Sequence, residues 1–575
     1  MGRQGIAFRG NRHESSFVGD DPTASKGETI LGGDEQYNPG NFQAFVRYTS
    51  RCSAEFTALL QQLPRNATFQ SKTVQNEMLD MVCEDVLRQI VVEINEKAGG
   101  YFSVLCDETS DVCHVEQMAV GARYVIPDPR GKPEGSACLQ PFVVVERFLG
   151  FVALPKLDAA TISATIVGFL KGTGLDLSKL LGQGYDGAAV MAGHISGVRT
   201  RVQTQYPLAE FFHCSSHSLN LATSAATVVE LKSAMDAVNG VAVWILDSPK
   251  RTQALKEAID RCGLDQNKTA TLKRHCETRF VERHSSFLAF SALYQPIVLM
   301  LDRYAETENG KDQSSAMAYS KLLANFEFVV CLGIITEVSA ILKVLAAKLQ
   351  RPQNDLLATY TLVANVVKQL DERTTASNPS SFDSIFGTAS SIAVAAGLTV
   401  EPPRKARLRG ENCAKVHYAR IYDKYLKSVV EKLSTRFDKT KKRIFGLQGL
   451  VPAFMGSVDR VALLDAIHFY DTSTARRAML SQLTAPATAV EALRFCSASF
   501  YPTLQFTLVA FATIPPTTVS PERYFSLLKR LKTQLRNKMG DERLTALAHL
   551  QANRDLPVDT KKLSAAFFAK ESRRV

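Results

Sequence analysis

The chain has 575 residues, of which 45% are hydrophobic and 22% charged, the balance of a folded protein with room for more than one domain rather than of a disordered chain. Its net charge of +11 favours an anionic partner, nucleic acid foremost, because clustered Lys and Arg neutralise phosphate; a basic soluble protein without such a partner satisfies the charge equally well. The opening MGRQGIAFRGNRHESS lacks the apolar run of a secretory signal, and the 11 cysteines are scattered without disulfide-framework spacing, so the chain reads as intracellular.

Residues 1–40, rich in Gly, Asp and polar side chains, are expected to form a flexible arm. The pattern turns helical over 41–98, where Leu79, Met81, Val82, Val86, Ile90, Val91 and Ile94 fall close to one face. It then changes period: YFSVLCD (101–107), EQMAVGARYVI (116–126) and PFVVVERFLGFVAL (141–154) read as three successive strands. A helix over 160–174 ends in Gly, and a short segment leads into GQGYDGAAVMAG. Together, residues 99–232 predict a mixed α/β sheet. From 233 to 495 the chain lacks strand runs and is expected to be a helical domain. Within it, Phe326–Leu349 is the best membrane candidate, but Glu337, Lys343 and Lys348 interrupt it, so a buried amphipathic helix is expected and no membrane partner. The last section, 496–575, carries the apolar run FTLVAFATI, a Pro-rich turn and a helix from Ser520. Ser520 is expected to cap that helix and Pro521 to occupy its first turn, with Tyr524, Phe525, Leu528 and Leu531 as a buried stripe.

Three acids sit at the ends of these elements. Asp107 closes the apolar run FSVLC, Asp186 lies in the turn GQGYDGA, and Glu522 falls near the start of the last helix. Carboxylates of this kind hold the hard divalent cations that phosphodiester cleavage needs, leaving positions for water and phosphate. Each acid alone also reads as an ordinary strand-end or helix-start residue, and spacing does not single these three out.

FSVLCDETSDVCHVEQMAVGARYV, ERFLGF, GQGYDGAAVMAG, HCSSHSLNLA and SPERYFSLLKRLKTQLRNKMGDERLTALAHL together resemble, in family order, the hAT superfamily of DNA transposases, in particular the animal branch that is associated with zinc fingers and often domesticated. The resemblance implies an RNase H-like α/β core split by a large all-α insertion (233–495), with a C-terminal hAT region (496–575) that completes the core and dimerises. It places the family's catalytic, metal-binding triad on Asp107, Asp186 and Glu522, served by Mg2+ or Mn2+. It also implies DNA as substrate, a homodimer or higher oligomer, and a nuclear location.

Further positions follow from the same likeness. His217, in HCSSH, is expected beside the DNA backbone, while Cys214 packs or, with His217, forms half of a zinc site for which no other ligands stand at standard spacing. HCETRFVERH (275–284) matches a motif that normally ends in a base-stacking tryptophan. Here Phe280 stands in that place, with Arg279 available to phosphate, and an ordinary core role for Phe280 is the competing reading. Arg404, Lys405 and Arg407, in PPRKARLRG, suit a DNA contact, an import signal or a solvated loop. The glycines of GQGYDG fit a dinucleotide-binding turn only on paper, because Asp186 would put a carboxylate into the anion cradle. Two functions remain open on the residues: a transposase-derived nuclease and strand transferase, or a domesticated, non-cutting nuclear regulator that dimerises and binds DNA or protein. The intact acids favour the first; Phe280 and the absence of a C-x-x-C zinc finger ahead of the core favour the second.

Overall fold

Five of the chain's apolar segments take extended backbone and join in one mixed sheet, and almost everything else described is helical. The computed structural model describes residues 41–63, 69–111, 113–131, 141–226, 228–264, 271–274, 280–403, 413–439, 443–470, 486–496, 501–533 and 539–569. The expected arm over 1–40 lies outside them.

The strands are β1 (Phe102–Ser110), β2 (Glu116–Pro127), β3 (Phe142–Ala153), β4 (Leu180–Tyr185) and β5 (Glu210–His213), in the spatial order β3-β2-β1-β4-β5. β1, β2 and β3 form an antiparallel meander, whereas β4 and β5 run parallel to β1. This is the α/β core expected from the pattern. The sequence pattern shows β4 only as a short segment and does not announce β5, whose four residues are too few to show a period.

Side chains alternate across β1, so Phe102, Val104 and Cys106 share one face and Ser103, Leu105 and Asp107 the other. The first face meets Val86, Ile90 and Ile94, together with Ile162, Ile166 and Leu170 of the Ala159–Gly172 helix, in one apolar core. That helix starts on the Asp158 carboxylate, which accepts from the Thr161 amide, and Gly174 follows its end at φ +86, the left-handed conformation that favours glycine. The second face is covered by three helices from the end of the chain, Pro502–Thr513, Val519–Leu531 and Asp541–Ala552. FTLVAFATI is thus mostly helix. Tyr524, Phe525, Leu528 and Leu531 form the buried stripe expected of them, against Ala119, Phe148 and Phe151 of the sheet. The C-terminal region is one of the layers that cover the sheet.

The chain divides into two compact units, Met1–Cys214 with Gly446–Val575, and Ser215–Phe445. The helical unit therefore begins and ends earlier than the 233–495 read from the pattern. Leu219 and Ala222 of the Ser215–Ala225 helix already belong to its core, while the Ala489–Leu493 helix packs on β3 and on the Pro502–Thr513 helix of the other unit. Among its described residues the helical unit has no strand. Its central helix, Phe326–Leu349, is long and apolar enough to cross a membrane, but Val330, Ile334, Ile335, Val338 and Leu342 are buried in the unit's core. Glu337, one of the charges that interrupt it, pairs with Arg373 at 2.5 Å.

Candidate functional site

Asp107 lies on the face of β1 that the C-terminal helices cover, two residues beyond the last pairing of β1 with β4, Leu105 with Gly184. Continuing that parallel register by two places sets Asp107 beside Asp186, which follows the last residue of β4. The Asp186 Oδ1 accepts from the Ala188 amide at 3.1 Å, which fixes the carboxylate in the turn. Glu522 lies in the first turn of the Val519–Leu531 helix, which packs on β1 and β2. Burial, and then the nearby charges of Glu522 and Asp186, push the Asp107 carboxyl well above the usual carboxylate range; the Glu108 amide, donating to Asp107 Oδ1 at 3.0 Å, offsets this only in part. Three acids distant in sequence are thereby brought into one electrostatic site.

The donor set suits a hard divalent cation, since a positive charge among three coupled carboxylates relieves the repulsion that raises Asp107. Among the described residues, no three possible ligands already stand gathered closely enough to hold an ion.

The segment that delivers Glu522 is held from several sides. Gly182 and Gly184 are glycines because Pro515 lies against β4: a Cβ on Gly184 would stand 2.8 Å from Pro515 Cγ, and one on Gly182 would stand 2.7 Å from Ser103 Oγ and 3.2 Å from Pro515 Cδ. This close packing, within a strand, accounts for the G-x-G spacing without any nucleotide. Cys214 is buried, its Sγ accepting from the Thr518 amide at 3.4 Å and lying 3.6 Å from Thr517 Oγ1. The packing role expected of Cys214 is therefore specific, in that its thiol meets the entrance of the helix that carries Glu522.

Ser520 does not cap that helix. The helix starts at Val519, Thr518 occupies the cap position with no side-chain cap, and the Ser520 hydroxyl donates to Glu146 Oε2. Standing inside the first turn, Ser520 is past the position from which a hydroxyl accepts from the free amides, and its O–H donates to the Glu146 carboxylate instead, a charge-assisted hydrogen bond. At the other end, Lys532 Nζ meets Asp111 Oδ2 at 2.5 Å, both side chains buried. Burial works against this pair, but Lys532 and the amides of Val115 and Cys113 keep the Asp111 carboxyl below its ordinary range.

The profile described as the ZMYM1/FAM200 RNase-like domain matches residues 24–197, which contain Asp107 and Asp186, and that of the hAT family C-terminal dimerisation region matches 483–556, which contain Glu522. Over 483–556 the chain is similar to the hAT family. Its relatives include the 52 kDa repressor of the inhibitor of the protein kinase from Mus musculus, 23% identical over 557 residues that cover 91% of this chain and 71% of the relative. The Homo sapiens protein of the same name is 23% identical over 559 residues, with the same coverage of both chains.

The other positions expected of a hAT protein fall differently. His217 lies half-buried in the first turn of the Ser215–Ala225 helix, in the helical unit. Phe280 opens the Phe280–Ala292 helix, and its side chain lies outside what the structure describes, as do Arg279, Arg404, Lys405 and Arg407. One acid was missed. Glu108, next to Asp107 but on the opposite face of β1, is pushed up to about 7 by burial, by Asp186 and by Glu116, and its Oε1 is buried without a hydrogen-bond partner. The DETSD run contained it, but strand alternation separates it from Asp107 and gave no reason to choose it.

Proposed function

We propose that this hAT-derived chain binds DNA and cuts and transfers its strands, with Asp107, Asp186 and Glu522 holding Mg2+ or Mn2+. The observation that carries the reading is that Glu522 and Asp186, from segments far apart in the chain, are the two foremost charges acting on Asp107. When bound, divalent cations supply Lewis-acid polarisation of the scissile phosphate and a nucleophile active at neutral pH. The chain's own residues provide a strand-end carboxylate in Asp107, a turn-held carboxylate in Asp186 and a first-turn helix carboxylate in Glu522. The net charge of +11 favours approach of a polyanion, and this reading puts the protein on nuclear DNA. The matched hAT C-terminal dimerisation region supports self-association.

The test is a cleavage and strand-transfer assay in Mg2+ or Mn2+ comparing the native chain with Asp186→Asn. Asn retains an oxygen that can accept from the Ala188 amide, so the turn should persist while metal-dependent nicking falls to background. Nicking that survives the substitution would sink the site.

A second reading is favoured by one observation: both relatives are named as repressors. On it, the chain keeps the fold and the dimerising region as a regulator that binds without cutting. Stable DNA binding by a native chain with no nicking in either metal would select this reading.

A further inference from the structure

Helix ends fray because their outermost amides lack partners within the helix, and Glu522 sits in such an end with no side-chain cap before it. Two residues earlier, however, the Ser520 hydroxyl donates to Glu146 Oε2. Glu146, in β3, stands directly across from Arg123 in β2, and Arg123 Nη1 meets its Oε1 at 2.8 Å with both side chains all but excluded from water. Arg123 Nη2 donates to the Ala512 carbonyl at 3.2 Å, near the end of the Pro502–Thr513 helix. One buried pair thus grips the chain on both sides of the connection 514–518, at Ala512 and at Ser520. Between these grips, Pro515 lies on Gly182 and Gly184 of the strand that leads to Asp186, and Thr518 donates to Cys214.

Burying an ion pair on a sheet face is a poor way to gain stability, since apolar side chains of similar volume commonly do as well or better; its best-attested use is to fix register. We propose that the Arg123–Glu146 pair, acting through Ser520, is the device that sets Glu522 at its position beside Asp107 and Asp186. These are positioning residues. They carry nothing to the phosphate, and their role is the axial and rotational setting of a helix whose first turn is otherwise uncapped. The inference rests on the metal-site reading given above.

The experiment measures Mn2+ affinity of the full chain by calorimetry, with thermal melting alongside and Asp186→Asn as the site control. Ser520→Ala removes the hydroxyl alone; the double substitution Arg123→Met with Glu146→Leu replaces the pair by apolar groups. Both variants are expected to melt close to the native chain yet bind Mn2+ roughly tenfold or more weakly, the scale seen when outer-sphere partners of metal ligands are lost. If the double variant fails to fold, Ser520→Ala decides alone. Native Mn2+ affinity in a folded Ser520→Ala chain overturns the positioning role while leaving the metal site intact. A native chain with no Mn2+ binding that depends on Asp186 overturns the site itself, and this role with it.

Discussion

The two faces of the sheet are built on different principles. The face of Phe102, Val104 and Cys106 packs against helices close by in sequence through a mainly apolar core, into which Gln183 and the hydrogen-bonded Tyr124 and Glu93 are also buried. The face covered by the C-terminal helices has its own apolar patch around Phe148, but around that patch it buries Arg123, Glu146, Ser520, Asp111, Lys532, His549 and Asn553. Apolar packing is non-directional and tolerates sliding, whereas buried charges and hydrogen bonds cost stability when misplaced and so admit one arrangement. The face that carries Asp107 is the one that specifies register. Stability and placement of the site are thereby assigned to opposite sides of the same five strands.

The largest expected effect breaks the first face alone. Phe102 is fully buried, and Phe102→Ala should cost about 3–5 kcal/mol in urea unfolding, the usual range for removing a core aromatic ring. Divalent-metal affinity of the molecules that remain folded should be unchanged. A loss of affinity in proportion to the loss of stability would show that the faces do not divide the work.

The second effect belongs to the polar face. His549 is buried in the Asp541–Ala552 helix, its Nε2 is 2.8 Å from the Leu149 carbonyl, and Asn553 Nδ2 is 3.3 Å from its Nδ1 while also donating to the Phe148 carbonyl at 3.0 Å. These partners fit a neutral ring that donates from Nε2 and accepts at Nδ1. Burial pulls its pKa down from 6.5 to about 4, with the Leu149 carbonyl opposing. Because the folded value lies below the unfolded one, the stabilisation is complete above pH 6.5 and is lost as the pH falls towards 4, amounting to roughly 3 kcal/mol. Unfolding curves between pH 7 and pH 4 should show that loss, and His549→Gln should flatten it. An unaltered pH dependence in the variant would place the titration elsewhere, for which buried His284 of the helical unit, also held near 4, is the control substitution.

The apolar face was largely legible in the sequence and the polar face was not. Alternation in FSVLC and a helical stripe in Val86, Ile90 and Ile94 announce an inside without reference to anything distant. Arg123 and Glu146, by contrast, each look like a charge within an otherwise apolar strand, and nothing local says that they pair across β2 and β3. Ser520 shows why local chemistry misleads: S-P-E is a sound helix start, but Glu146, 374 residues away, takes the hydroxyl. The acids were separable from ordinary strand-end residues only through a family resemblance, because their convergence depends on a C-terminal helix returning to a strand more than four hundred residues earlier. Cys214 was expected to pack, yet its contact with Thr517 and Thr518 has the same long-range origin.

The smallest effect is the most discriminating, since it asks whether the polar face sacrifices stability for the site. Burial, Glu522 and Asp186 raise the Asp107 carboxyl, so its ionised form is disfavoured in the folded state. The sign follows from linkage: below the unfolded value of 3.8 both states are protonated and no penalty exists, and the penalty grows as the pH rises towards the higher folded value. Asp107→Asn escapes it. Without divalent metal at neutral pH, the variant should therefore melt above the native chain, and the difference should vanish near pH 4. Added Mg2+ should reverse the order, because it stabilises only the chain that can bind it. A variant that is less stable without metal, or that gains as much from Mg2+ as the native chain, would mean that Asp107 is a structural acid at a strand end.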